Sequence, residues 1–197
     1  MDNTYLLKLT FFLVSLCAVI YFAARLIPKR RTRHERKQEQ ARRVIEKINT
    51  FPEFRQKIAY LRKIDPFTFE ELVLEGFERR GYRVIRNARY TGDGGIDGRV
   101  YVNEQLCLIQ AKRYTGYIAA GHVRAFRELL EQNRCSGFFV HTGKTREGVK
   151  AAIHSDDRLF LISGQRLLDL IATEVPFTAC PEQSRNRALT NLQGNRV

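Results

Sequence analysis

The chain has 197 residues, 34 of them Lys or Arg against 21 Asp or Glu, for a formal net charge of +13. That length holds one compact domain of about 100–130 residues plus extensions, so its core needs no disulfide scaffold. The four scattered cysteines (Cys17, Cys107, Cys135, Cys180) exclude closely spaced zinc or redox motifs, and so basic a chain has a polyanion as its natural partner, nucleic acid or an acidic lipid face.

No charge falls between Leu9 and Ala24, and extending through Tyr5 and Ile27 leaves only Lys8 and Arg25 near the ends of the apolar span. About 20 such residues cross a bilayer, and terminal Lys or Arg side chains reach back to the interface. The expectation is one transmembrane helix within residues 1–27. A cleaved signal peptide is the weaker reading, because the positive charge follows the apolar run (Lys29, Arg30, Arg31, Arg33, Arg36, Lys37) instead of preceding it. A buried helix is weaker still, since the run has no polar stripe. The positive-inside rule then makes this a single-pass protein of the inner membrane with its C-terminal bulk in the cytosol.

Residues 28–64 hold thirteen Lys or Arg against four Glu, which is nine of the thirteen net charges. Residues 32–49 read as an exposed helix whose few apolar positions, Ala41, Val44, Ile45 and Ile48, gather at its end. Residues 51–64 are a shorter amphipathic piece, opened by Pro52 and closed before Asp65-Pro66. The whole of 28–64 is thus a basic helical linker suited to anionic headgroups or a DNA backbone. The domain boundary falls near Asp65.

Residues 67–80 carry Phe69, Leu72, Val73 and Phe77 at helical spacing and stop at Gly81. A strand over 82–88 follows, then strands over 95–102 and 105–112 joined at Asn103-Glu104. A helix over 119–133 puts Val123, Phe126, Leu129 and Leu130 at core spacing, and 137–142 is a short apolar run of the kind buried on both faces of a sheet. Residues 145–153 are helical, 159–163 form a strand, and 165–173 a closing helix. The order α-β-β-β-α-β, then α-β-α, predicts a three-layer α/β domain with a mixed central sheet over residues 65–174. Cys107 and Cys135 fall in apolar strand and helix-end contexts, where a reduced buried thiol and a reducing compartment are expected. Residues 175–197 are polar with little to bury, and a disordered tail is expected there.

If Val102 faces Gln105, Asp97 lies opposite Gln110 in the hairpin. Directly opposed residues share a side of the sheet with Cβ atoms roughly 4.5–5.5 Å apart, and Lys112, two residues on, shares that side too. Asn-Glu is not the preferred two-residue turn, and a three-residue loop would send one partner to the other face, so the site depends on this register. An acid, an amide and a cation on one face suit phosphodiester hydrolysis, which needs a metal ion to stabilise charge, an activated water, and a cation near the phosphate. Mg²⁺, or Mn²⁺ in its place, takes oxygen ligands with one or two protein carboxylates. Asp97 is the candidate anchoring ligand, Gln110 supplies an amide oxygen, and Lys112 orients or polarises the attacking water. Glu70 or Glu71 reaches the same pocket if the first helix of the domain packs over the hairpin. Glu70 is preferred because it follows Phe69.

Tyr90, Arg113 and Tyr114, near the loops, are candidates for DNA backbone contact. Asp93 reads as a turn residue within Gly-Asp-Gly-Gly. His122, His141 and His154 show no metal-ligand spacing, and His141 reads as a core or site-rim residue.

The run Phe69-Glu70-Glu71-Leu72-Val73, then Gly81-Tyr82, Gly92-Asp93-Gly94-Gly95-Ile96-Asp97 and Gln110-Ala111-Lys112-Arg113, resembles the catalytic domain of Mrr-type restriction endonucleases in the PD-(D/E)xK nuclease superfamily. The likeness continues through Val140-His141-Thr142 to Leu161-Ile162-Ser163-Gly164-Gln165-Arg166-Leu167-Leu168, covering residues 67–171. It implies a restriction-endonuclease-like fold and a metal-dependent DNA endonuclease. The catalytic positions it implies are Asp97, Gln110 and Lys112, with Glu70 as the helix acid. Members of that family often carry a separate DNA-recognition domain where this chain has an apolar span and a basic helix. The middle residue of the Gln-x-Lys triplet is Ala111, which should point away from the site. Two further readings stay open: a non-catalytic membrane-tethered DNA-binding module, suggested by an amide where many related nucleases keep an acid, and a resolvase or RNase on the same fold. Oligomeric state is open, a homodimer included.

Overall fold

The computed structural model describes residues 3–26, 32–87, 94–154, 156–172 and 176–179. The chain divides into two compact units, Met1–Glu35 and Arg36–Val197. The first consists mainly of helix α1 (Asn3–Leu26), whose Phe11, Phe12, Val14 and Phe22 side chains are exposed. The expected membrane span finds no support in it: among the described residues, no helix is long and apolar enough to cross a membrane. Thr4, Lys8, Thr10 and Ser15 lower the apolarity of its described part.

In the second unit, strands β1 (Arg83–Arg86), β2 (Gly98–Val102), β3 (Gln105–Lys112), β4 (Ser136–His141) and β5 (Leu159–Ser163) lie side by side in chain order. The first three pair antiparallel and the last three parallel, so β3 is the strand at which the sheet changes character. Parallel neighbours require crossovers, and α5 (Ala120–Asn133) and α6 (Glu147–His154) supply them. Their Val123, Phe126, Leu130 and Ile153 pack with Leu108, Phe139 and Leu159 into one core. A second core on the opposite face joins Cys107, Ile109, Ala111, Phe138 and Val140 to α4 (Pro66–Arg79) and α7 (Gln165–Ile171). This is the expected three-layer α/β domain with a mixed sheet. Cys107 is buried with its thiol in no disulfide, whereas Cys135 is only half-buried.

Two expectations about the margins of the domain are corrected. Residues 28–64 are not simply a linker. Helices α2 (Arg33–Asn49) and α3 (Phe54–Leu61) bury Ala41, Val44, Ile45, Ile48, Ile58 and Leu61 in the same core as α4. The spacing of the four α2 residues gives one narrow apolar stripe, and α4 and α7 offer the surface that covers it. Polar contacts fix the docking, with Lys37 Nζ 2.9 Å from the Asp65 carboxylate and the Thr68 hydroxyl donating to Gln40 Oε1 at 3.1 Å. The stretch expected to be a disordered tail from residue 175 includes packed residues, because Phe177 packs against the α4 core and Ala179 is fully buried. Residues 180–197 lie outside the described residues.

The two-residue turn at Asn103-Glu104 forms with both residues at positive φ, 50° and 66°. This is the left-handed geometry of a primed hairpin turn, whose twist matches that of the strands it joins. Val102 pairs with Gln105 and Gly98 with Ile109. Strand β2 starts at Gly98, later than expected, and its pairing with β3 ends at Gly98 and Ile109; the Asp97 N–H then donates to the Ile109 carbonyl at 2.8 Å, a bulge-like departure from the ladder. A glutamate in this conformation costs about 1–2 kcal/mol. Glu104→Gly should therefore stabilise the domain by about 0.5–1 kcal/mol after the entropy cost of glycine. The urea midpoint of the variant is the measurement, and a fall in the midpoint would contradict the turn.

Candidate active site

Period two along β3 sends Cys107, Ile109 and Ala111 to the α4 side and Leu108, Gln110 and Lys112 to the α5 side. The ladder ends at Gly98 and Ile109, one residue short of the expected Asp97–Gln110 pair. The Asp97 Oδ2 accepts the Ala111 N–H at 2.7 Å, so the carboxylate is held against the β3 backbone. Gln110 is buried; its Nε2 donates to the Gly95 carbonyl at 2.7 Å, while its Oε1 is buried with no hydrogen-bond partner. A Cβ on Gly95 would lie 2.8 Å from Gln110 Nε2, and Gly95 has φ +90°, so both contact and conformation require glycine there. The Gly-Gly-Ile-Asp run thus closes over the amide, and the Asn87 side chain donates to the Ile96 carbonyl to hold it.

Glu70 comes from the other layer. It lies in the first turns of α4, which starts where Asp65 caps the helix by accepting the Thr68 N–H at 2.9 Å behind Pro66. Burial first, and the negative charge of Asp97 second, push the Glu70 carboxyl up to about 8, while Lys112 pulls the other way. The helix acid, Asp97 and Lys112 therefore share one electrostatic environment at the end of the sheet. Glu71 does not serve this site: its buried carboxylate is 3.0 Å from Arg86 Nε, within a network in which Arg86 also binds Glu78 and Glu75 is bound by Arg42 and Arg79. The structure thus gives the two adjacent acids different surroundings.

His141 stands directly beside Lys112 in the β3–β4 pairing and is fully buried. Its Nδ1 accepts the Gly143 N–H at 3.1 Å, which leaves Nε2 to carry the proton toward Thr145 Oγ1 at 3.3 Å. Burial pushes its pKa down to about 4, so it is neutral at neutral pH and adds no charge beside Lys112. The sequence marked His141 as a core or site-rim residue but not as the neighbour of Lys112, because the pairing of two strands separated by a helix is long-range.

Among the described residues, no three His, Cys, Asp or Glu side chains gather as a metal cluster. The donors present are oxygens: Asp97, Glu70 and the partnerless Gln110 Oε1. That set fits a hard divalent cation such as Mg²⁺ or Mn²⁺ and not a thiolate- or imidazole-seeking ion.

The candidates for DNA contact fare less evenly. Arg113 donates from one terminal nitrogen to the Arg62 carbonyl at 2.8 Å and buries its Nε, so part of its guanidinium is committed internally. Tyr114 is half-buried, its hydroxyl bonded to His122 Nδ1. Tyr90 and Asp93 lie outside the described residues, as does the His154 side chain.

The family model Mrr_cat, described as a restriction endonuclease, matches residues 61–171. Among solved structures, the MspJI restriction endonuclease in complex with a 27-mer oligonucleotide is 20% identical, with a TM-score of 0.40 over 81% of this chain and 36% of that one. The restriction endonuclease FokI is 16% identical, with a TM-score of 0.44 over 81% of this chain and 34% of that one. The chain thus spans about a third of the length of either structure. No curated protein matches it.

The Glu70 shift sets a pH dependence of stability. Its folded pKa lies above the usual 4.5, so the stabilisation it gives is complete below about 4.5 and is lost as pH rises through about 8. In a chelator, the melting temperature of Glu70→Gln should match wild type near pH 5 and exceed it increasingly toward pH 9, at about 2–4 °C per kcal/mol. A difference that stays flat from pH 5 to pH 9 would contradict the coupling.

Proposed function

The chain belongs to the Mrr_cat restriction endonuclease family, and from that premise we propose that it hydrolyses phosphodiester bonds of double-stranded DNA with a divalent metal ion, Mg²⁺ or Mn²⁺, held by Asp97, Gln110 and Glu70. One observation carries the proposal. The hairpin brings the Asp97 carboxylate against the backbone of the strand bearing Gln110 and Lys112, and leaves the buried Gln110 Oε1 without a protein partner.

The chain's own residues divide the work. Asp97 is a fixed anionic ligand, the bond from Ala111 to its Oδ2 preventing rotation away from the site. Gln110 presents an oriented dipole, since its amide nitrogen is tied to Gly95. Glu70, with its raised pKa, holds a proton at neutral pH until a cation displaces it. Lys112 supplies positive charge toward the reacting phosphate and the attacking water, and the neutral His141 beside it leaves that charge undiluted. A bound divalent cation adds charge neutralisation at the phosphate.

A second reading is DNA binding without cleavage, favoured by the amide at Gln110 and the lack of a three-carboxylate cluster among the described residues. A plasmid-nicking assay separates the two. Wild type should nick with Mg²⁺ and not in EDTA, and Asp97→Ala and Lys112→Ala should each lose about 100-fold or more, the scale of removing one charge-stabilising group. Cleavage by both variants at the wild-type rate would sink the assignment.

The proposal extends to an anchor in the inner membrane, with the nuclease domain in the cytosol. Its support is the charge-free sequence from Leu9 to Ala24, the basic run behind it, and the exposed apolar side chains of α1. The full chain should sediment with membranes and be released by detergent but not by high salt, whereas a chain lacking residues 1–27 should stay in the supernatant and retain nicking activity. Salt release of the full chain would leave only electrostatic adsorption.

A further inference from the structure

Beyond their named ends, β3 and β4 continue to pair. Tyr117 bridges Lys144 in parallel fashion, the Lys144 N–H donates to the Gly116 carbonyl at 2.8 Å, and the Ile118 N–H donates to the Lys144 carbonyl at 2.9 Å. The buried Thr142 hydroxyl is bonded twice to the Tyr114 backbone, accepting its N–H and donating to its carbonyl, both at 2.9 Å. A Cβ on Gly143 would lie 2.7 Å from the Gly116 carbonyl oxygen, so the two loops meet backbone to backbone. Ile118, buried against the α5 core, pins the outer end. These two loops form a rigid platform growing directly from the strands that carry Lys112 and His141.

The platform is basic and aromatic on its open side. Tyr117 is 53% exposed, and the Arg146 guanidinium lies 4.9 Å from its ring centroid. Lys144 is exposed beside them. Neither Lys144 nor Arg146 has a carboxylate partner among the described residues, because the neighbouring Glu147 is paired with Lys150 at 4.0 Å. An arginine stacked on a ring keeps its N–H edges free for bidentate bonding to phosphate while losing less rotamer freedom. Three to five residues beyond Lys112 and His141, bent at 115–116 and 142–143, span up to about 10–17 Å. At about 3.4 Å of rise per nucleotide that distance is about three to five nucleotides.

We infer that the platform formed by residues 114–118 and 142–146 is a DNA-backbone clamp. Lys144 and the Tyr117-stacked Arg146 bind phosphates about three to five nucleotides from the bond addressed by Lys112. Exposed Tyr117 is the positioning residue that holds Arg146, and the clamp takes over the role expected of Arg113 and Tyr114, whose polar groups are partly committed inside the protein. The inference rests on the nuclease reading of the Asp97 site.

The test is binding of a labelled DNA duplex to the full chain in detergent and EDTA, read by anisotropy over a series of salt concentrations. Lys144→Ala with Arg146→Ala should weaken binding about 10- to 100-fold and reduce the slope of log K against log salt by about 1.8, which is about 0.9 for each phosphate no longer neutralised. Tyr117→Ala should remove part of the Arg146 share, and Tyr117→Phe, which keeps the ring, should restore it. Melting temperatures should stay at the wild-type value, since all three side chains are exposed. Asp97→Asn should abolish nicking and leave the slope unchanged. A wild type that nicks DNA while the double variant keeps the full slope overturns the clamp alone, and a wild type that neither binds nor nicks overturns both readings.

Discussion

The left-handed turn at Asn103-Glu104 is the constraint on which the site depends. Its two residues at positive φ close the β2–β3 hairpin with no extra residue, and the period of two then fixes every pairing outward to Gly98 and Ile109, next to Asp97 and Gln110. One added residue would send Asp97 to the α4 face, among Ile109 and Ala111, where a carboxylate has no partner. Beyond Gly98 the ladder gives way to the Asp97 N–H bond to Ile109 and the Oδ2 bond from Ala111, which hold Asp97 against β3.

Strand β3 links that local constraint to the rest of the domain. It pairs antiparallel on one side and parallel on the other, and its central residues are buried on both faces. Polar Gln110 and Lys112 are tolerated because they come at its end, where the sheet runs out and α4 reaches across with Glu70. Within the buried interior, a lone amide oxygen or carboxyl costs free energy unless something meets it. The partnerless Gln110 Oε1 and the raised Glu70 pKa are two signs of one arrangement that a cation would complete.

The position of α4 is in turn held from three directions. Phe69, Leu72, Val73 and Phe77 pack on the sheet, α2 and α7 cover its other sides, and the Arg86 network ties its buried acids to β1. Breaking that network would leave uncompensated buried charge, so Glu71 and Glu75 belong to the architecture, whereas Glu70, one residue before Glu71, faces the electrostatic environment of Asp97 and Lys112. The basic α2 has a similar double character: an apolar stripe facing the core and Lys and Arg on its remaining surface.

Much of this was legible in the sequence. Element order and the mixed three-layer sheet followed from hydrophobic period, and the length of the turn was enough to fix the pairing from Val102 and Gln105 out to Gly98 and Ile109, since a hairpin is a local structure whose register is counted along the chain. The preference for Glu70 over Glu71 followed from its place beside Phe69, but the reason for it, the capture of Glu71 by Arg86, came only with the packing of α4 on β1. Packing also decided that the stripe on α2 finds a surface, that Phe177 docks, and that His141 lies beside Lys112. Neither Arg113's bond to the Arg62 carbonyl nor the closing of loops 114–118 and 142–146 into a platform could be counted along the chain. Sequence determined what repeats at short range, periods of two and 3.6 residues and the size of a turn. Tertiary structure decided which polar groups are consumed inside the protein and which remain for a ligand, because burial and hydrogen bonding depend on residues far apart in the chain.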